Sequence, residues 1–163
     1  MPEEKPVEVV RRFWDRLIHE WALHEAGSLV TGDFTFRGAL GVSSSGLGAF
    51  LDYAHGIRRA LPDLRVSFDE VHEDGPTVAA RLLFEGTHCG PLFGVPVTRR
   101  PVSYVGAGFF DVTPKGRLSR VWLVSDTYDL HRQLTAPVRA VRAVRPRAAV
   151  PDVAVAVAEV APA

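Results

Sequence analysis

An α+β fold is predicted for this chain, with N-terminal helices packed on a curved antiparallel sheet that encloses one pocket. Two observations predict it. Apolar residues recur at helical spacing through about residue 61, and at the alternating spacing of strands from Leu64 onward. The alternating segments are joined by short turns, which pair neighbouring strands antiparallel. Helices first and a run of strands last build an α+β fold rather than a parallel βαβ one. A chain of 163 residues, 47% of them apolar, suits one domain with a substantial core.

The first element is an amphipathic helix over residues 7–24, with Val7, Val10, Phe13, Trp14, Leu17, Ile18 and Trp21 on one face. A second short helix over Leu23–Val30 ends at Gly32-Asp33. Phe34–Arg37 reads as a short strand, and Gly38–Ser45 as a loop whose serines are placed to cap the next helix. That helix, residues 46–61, carries Leu47, Phe50, Leu51, Ala54, Ile57 and Leu61 on one face and stops at Pro62. Four strands follow, at Leu64–His72, Thr77–His88, Val102–Val112 and Leu118–Asp126. Glu73-Asp74-Gly75 and Thr113-Pro114-Lys115-Gly116 supply the two tightest turns. The domain therefore spans 1–135. Residues 136–163, nearly all Ala, Val, Arg and Pro, are expected to form a flexible tail.

Composition narrows the function classes. Nineteen basic and nineteen acidic residues leave no net charge, which argues against a nucleic-acid or anionic-membrane partner. Cys89 is the single cysteine, so no internal disulfide can form. No apolar run is long enough to span a bilayer, and the start, MPEEKPVEVV, lacks the pattern of a signal peptide. A cytoplasmic protein is expected. Phosphate loops, dinucleotide fingerprints and nucleophile elbows are absent, the histidines lack metal-ligand spacing, and nothing calls for a cofactor.

Alternation puts Trp122, Val124 and Asp126 on one face of the last strand. If that face lines the pocket, Asp126 is a desolvated carboxylate suited to proton transfer; otherwise it caps the following helix. His88 is placed either to hold a substrate oxygen or to close a hairpin through its backbone. Arg81 shares a face with Glu85 and is either an outer ion pair or part of a polar network with Asp126. Tyr104, Gly106, Gly108 and Phe110 alternate on one face. This is either a floor for a flat polycyclic ligand or plain packing against the first helix. Trp14, Phe36 and Tyr53 are candidate pocket wall. Val105, Ala107 and Phe109 leave the other sheet face apolar as well, which predicts a homodimer through that face.

Several runs resemble the SnoaL-like polyketide and ester cyclases, whose fold is the NTF2-like cone: Ile57-Arg58-Arg59-Ala60-Leu61-Pro62-Asp63-Leu64, Val78-Ala79-Ala80-Arg81, Gly86-Thr87-His88-Cys89-Gly90, Phe93-Gly94-Val95-Pro96, and Trp122-Leu123-Val124-Ser125-Asp126 running on to Leu130 and Gln133-Leu134. The resemblance covers about residues 7–134. It implies a cofactor-free cyclase or isomerase acting on a hydrophobic secondary metabolite, with Asp126 as the acid/base of an aldol-type ring closure. Alternatives on the same fold are an epoxide hydrolase or epoxide-opening cyclase, and a non-catalytic small-molecule-binding module. A solvent-facing or helix-capping Asp126 would favour the last. The chain departs from the family pattern at Val97-Thr98-Arg99-Arg100, where many members have Pro-Thr-Gly-Arg. It also has Arg37 where many have histidine, and Phe109-Phe110-Asp111-Val112 lacks the histidine some cyclases use.

Overall fold

A computed structural model describes residues 4–137. The first helix is shorter than its apolar repeat suggests. It runs as an α-helix over Pro6–Trp14 (α1) and then widens into one π-helical turn over Asp15–His19. The turn is closed by the Glu20 N–H donating to the Asp15 carbonyl at 2.8 Å. Trp21 takes a left-handed backbone, φ 59°, and ends the helix. The widened turn is tied to the sheet: His19 Nε2 accepts the Val66 N–H at 3.0 Å, and Arg16 Nε donates to Glu25 at 2.8 Å. The second helix divides into a 3₁₀ turn, Leu23–Glu25, and a short α2, Ala26–Leu29.

The strand expected at Phe34 begins earlier, as β1 over Val30–Arg37. Ser43–Ser45, expected as helix-capping loop, instead forms β2 and pairs antiparallel with β1. Gly46, with φ 82° and no side chain to offer, precedes α3, Leu47–Ala60. The remaining strands are β3 (Arg65–Asp74), β4 (Thr77–Thr87), β5 (Pro101–Val112) and β6 (Leu118–Ser125), followed by α4 (Thr127–Thr135). Together they make one six-stranded sheet in the order β2-β1-β6-β5-β4-β3. The hairpins pair antiparallel as expected. The β1–β6 pairing is parallel and joins distant parts of the chain, so no turn signals it.

The sheet is curved and unclosed, and α1 and α3 pack on its concave side. Phe13, Trp14 and Leu17 from the first helical stretch meet Phe50 and Ala54 of α3, and Phe84, Phe110 and Leu123 from the sheet. Edge-to-face aromatic pairs dominate this layer, such as Trp14 with Phe84 and with Phe110, each at 6.4 Å between ring centroids. Among the described residues, no helix is long and apolar enough to cross a membrane. The tail expected over 136–163 lies, beyond Pro137, outside the described residues.

One irregularity decides which residues face inward. Val112 pairs with Leu118, but Asp111 pairs with Arg120, so Ser119 is an extra residue in β6. Such a bulge inverts the parity of the strand beyond it. Leu118 is buried, and after the bulge so are Val121 and Leu123, while Trp122 and Val124 are 39% and 40% exposed.

Candidate functional site

The concave side holds a narrow cavity of about 30 Å³. The helical layer contributes Trp14 and Ile18 from α1 and the π turn, and Tyr53 and Ile57 from α3. Phe36 and Leu40 close one side; Phe84, Tyr104 and Leu123 form the sheet wall. Among the described residues, none of the lining side chains is charged. The space is therefore apolar, and among its lining residues only Tyr53, Tyr104 and Trp14 carry polar side-chain atoms.

Each polar residue is held firmly. Tyr104 is 4% exposed and lies parallel to Phe84, ring centroids 5.0 Å apart. Tyr53 packs against Phe36 at 4.9 Å. Burial holds the Tyr53 hydroxyl well above the usual phenol range, partly offset by a hydrogen bond with the Leu40 backbone. Burial raises the Tyr104 hydroxyl in the same way, and the neighbouring Tyr53 adds to it. Both phenols therefore keep their protons at neutral pH and act as hydrogen-bond donors. Trp14 is 3% exposed, and its Nε1 has no acceptor among the described residues.

Of the residues singled out from sequence, Trp14, Phe36, Tyr53 and Tyr104 come together around this cavity. Phe110 is fully buried behind it, against Trp14. The expected glycine floor is not open. A Cβ at Gly108 would stand 2.7 Å from the Leu123 side chain, and one at Gly106 2.9 Å from the Phe84 ring. The glycines make room for core packing rather than for a flat ligand.

Asp126, Trp122 and Arg81 lie elsewhere. The Ser119 bulge turns Trp122 to the outer face, where the Arg37 guanidinium sits 5.0 Å above its ring. Asp126 is exposed, outside the cavity, and is the N-cap of α4. Its Oδ1 accepts the Asp129 N–H at 2.8 Å. Arg81 points outward and pairs across the sheet with Asp69 at 2.7 Å and Glu70 at 3.2 Å, not with Glu85. Among the described residues, no hydrogen bond or ion pair joins Arg81 to Asp126.

His88 is fully buried but does not line the cavity. Its Nδ1 lies 2.9 Å from Thr98 Oγ1, and its backbone N–H donates to the Arg100 carbonyl at 2.9 Å. The ring closes the base of the loop between β4 and β5. That loop keeps a left-handed residue where the family pattern has glycine: Arg99 has φ 59°. Sequence reasoning missed Ile18, Leu40, Ile57, Phe84 and Leu123 as cavity wall. The helical repeat and the alternation of β4 point to three of them, but the bulge concealed Leu123. Among the described residues, no group of three His, Cys, Asp or Glu is placed to share a metal ion.

Comparison with known proteins agrees with this architecture. The family model described as SnoaL-like polyketide cyclase matches residues 8–134. A SnoaL-like polyketide cyclase from Agrobacterium tumefaciens str. C58 has a similar structure, with 27% identity and TM-score 0.69, covering 80% of this chain and 98% of that one. TsrD from Streptomyces laurentii superimposes with TM-score 0.69 at 20% identity, covering 81% and 96%. A protein from Jannaschia sp. CCS1 does so with TM-score 0.74 at 20% identity, covering 84% and 96%. No curated protein matches the chain.

Proposed function

The chain belongs to the SnoaL-like polyketide cyclase family, and we propose that it closes a ring in a neutral, hydrophobic carbonyl compound held in the cavity between α1, α3 and the sheet. The observation that carries this reading is an apolar cavity whose wall, among the described residues, has no charged side chain but includes two protonated phenols. Such walls fold a flexible chain into a compact shape, and holding the reacting carbons together can supply much of a ring closure's rate. A charged substrate would lose its hydration there without compensation. The narrowness of the cavity means that a larger ligand enters as side chains such as Leu40 and Ile57 move aside.

Ring closure of the aldol type also removes an α-proton, and because the described wall holds no base, water or hydroxide from solvent takes it. The family resemblance points to Asp126 as the acceptor, but its place at the start of α4 supports helix capping instead. The same placement favours a second reading, a binding module that carries its ligand without changing it.

The two readings separate on a simple substrate. A linear diketone that closes to a cyclohexenone, with loss of water, is converted faster by the protein than by buffer, as followed by the conjugated enone absorbance. Ala54→Phe, which fills the cavity from α3, removes the acceleration. Binding without acceleration would support the carrier reading. Neither binding nor acceleration would defeat both.

A further inference from the structure

Tyr53 and Tyr104 reach the cavity from opposite layers, one from α3 and one from the central strand β5. Their rings are fixed by Phe36 and Phe84, so neither phenol can swing away without breaking an aromatic pair. Both rings line the same narrow cavity, and charge on Tyr53 would oppose ionisation of Tyr104. The Tyr104 hydroxyl makes no hydrogen bond to any described residue, although Tyr104 is almost fully buried. Trp14, which also lines the cavity, brings another donor without an acceptor among the described residues. Buried donors are ordinarily paired, so a set of unpaired ones around a cavity marks the place of an absent acceptor.

The chemistry of that acceptor follows from what the wall lacks. Among the described residues, no cation lines the cavity to neutralise a carboxylate or phosphate, and no anion lines it to neutralise an amine. A neutral oxygen that gains negative charge during reaction fits, because fixed donors in a dry site stabilise such charge best. We infer that Tyr53 and Tyr104 form a two-donor site for a carbonyl oxygen, so that the ligand is a ketone or aldehyde and its enolate is stabilised by the same two protons. This inference rests on the cavity being the ligand site.

Acetophenone and α-methylstyrene test it, because they share one shape and differ in C=O against C=CH₂. Affinities of both are measured by ligand-observed NMR for the wild type and for the Tyr53→Phe/Tyr104→Phe double variant. Loss of two hydrogen bonds should lower acetophenone affinity by roughly tenfold or more. α-Methylstyrene affinity should stay nearly constant, so the ratio of the two affinities falls. The ¹³C shift of the bound carbonyl should also move toward its value in an apolar solvent. Melting curves establish that the double variant is folded, and each single Phe variant should show part of the loss. An unchanged affinity ratio in a folded double variant, or an unchanged carbonyl shift, overturns the donor site alone. Failure of both probes to bind the wild type overturns the cavity reading together with it.

Discussion

The Tyr53 hydroxyl fills the space that a side chain at position 38 would need. A Cβ on Gly38 would stand 2.8 Å from Tyr53 Cε2 and closer still to Cζ and the hydroxyl. Gly38 is thus fixed by the cavity, not by a turn. Gly38→Ala is expected to push Tyr53 off the wall and to cost about 1–3 kcal/mol, as overpacking does. The cost should shrink in a Tyr53→Leu background, where the clash is gone. Urea unfolding of the four proteins in a double-mutant cycle measures that coupling; additive effects would show that Tyr53 yields freely.

The Arg99 backbone is the next point of strain. A left-handed residue other than glycine costs about 1–2 kcal/mol, and glycine gives back part of that through its own chain entropy. Arg99 is exposed and its side chain makes no hydrogen bond among the described residues. Arg99→Gly should therefore stabilise the protein by roughly 0.5–1 kcal/mol, read as a higher denaturation midpoint with an unchanged slope. A destabilised variant would mean that the arginine has a partner in solution.

The buried phenols set an alkaline limit on stability. In the unfolded chain a tyrosine ionises near pH 10 (about), whereas burial raises both Tyr53 and Tyr104 in the folded state. The folded state then holds more protons than the unfolded one above that pH, so their contribution is fully present below it and is lost as pH rises beyond it. Denaturation midpoints of the wild type should fall in that alkaline range more steeply than those of Tyr53→Phe or Tyr104→Phe. Equal slopes would show that the phenols are hydrated.

The outer sheet face presents Val105 at 55% and Phe109 at 46% exposure beside Trp122 and Val124. Arg81 pairs with Asp69 and Glu70, and Arg120 with Asp111, so the charges beside this face are neutralised within the chain. We propose that its apolar side chains meet a second copy of the same face. Light scattering is expected to give a dimer mass at micromolar concentration, and Phe109→Glu a monomer. A wild-type monomer would leave this face without a partner of its own kind.

Much of this molecule is written locally. The hairpin turns at Gly75 and Gly116 take positive φ as their glycines suggest, and the stripe from Val10 to Leu17 and the aromatics of α3 mark the inner helix faces. Three features are not local. The parallel β1–β6 pairing joins segments some ninety positions apart, with no connecting signal. The π turn after Trp14 depends on where His19 and Arg16 find partners. The Ser119 bulge matters most. Ser119 looks like any strand residue, yet the extra position exchanges the two faces of β6. Strict alternation therefore places Trp122 and Asp126 inside, when Leu123 is the residue that reaches the cavity.

We propose that the chemistry belongs to the Tyr53–Tyr104 cavity and not to the strand end at Asp126. The most direct test is the rate of cyclohexenone formation from the linear diketone by folded wild type, Asp126→Asn and Tyr104→Phe, measured side by side. Asparagine caps a helix about as well as aspartate, so Asp126→Asn should keep both its melting temperature and a rate near that of the wild type. Tyr104→Phe should lose roughly tenfold or more, as expected when a donor to developing charge is removed. A folded Asp126→Asn protein that loses the acceleration, while Tyr104→Phe keeps it, would contradict the account.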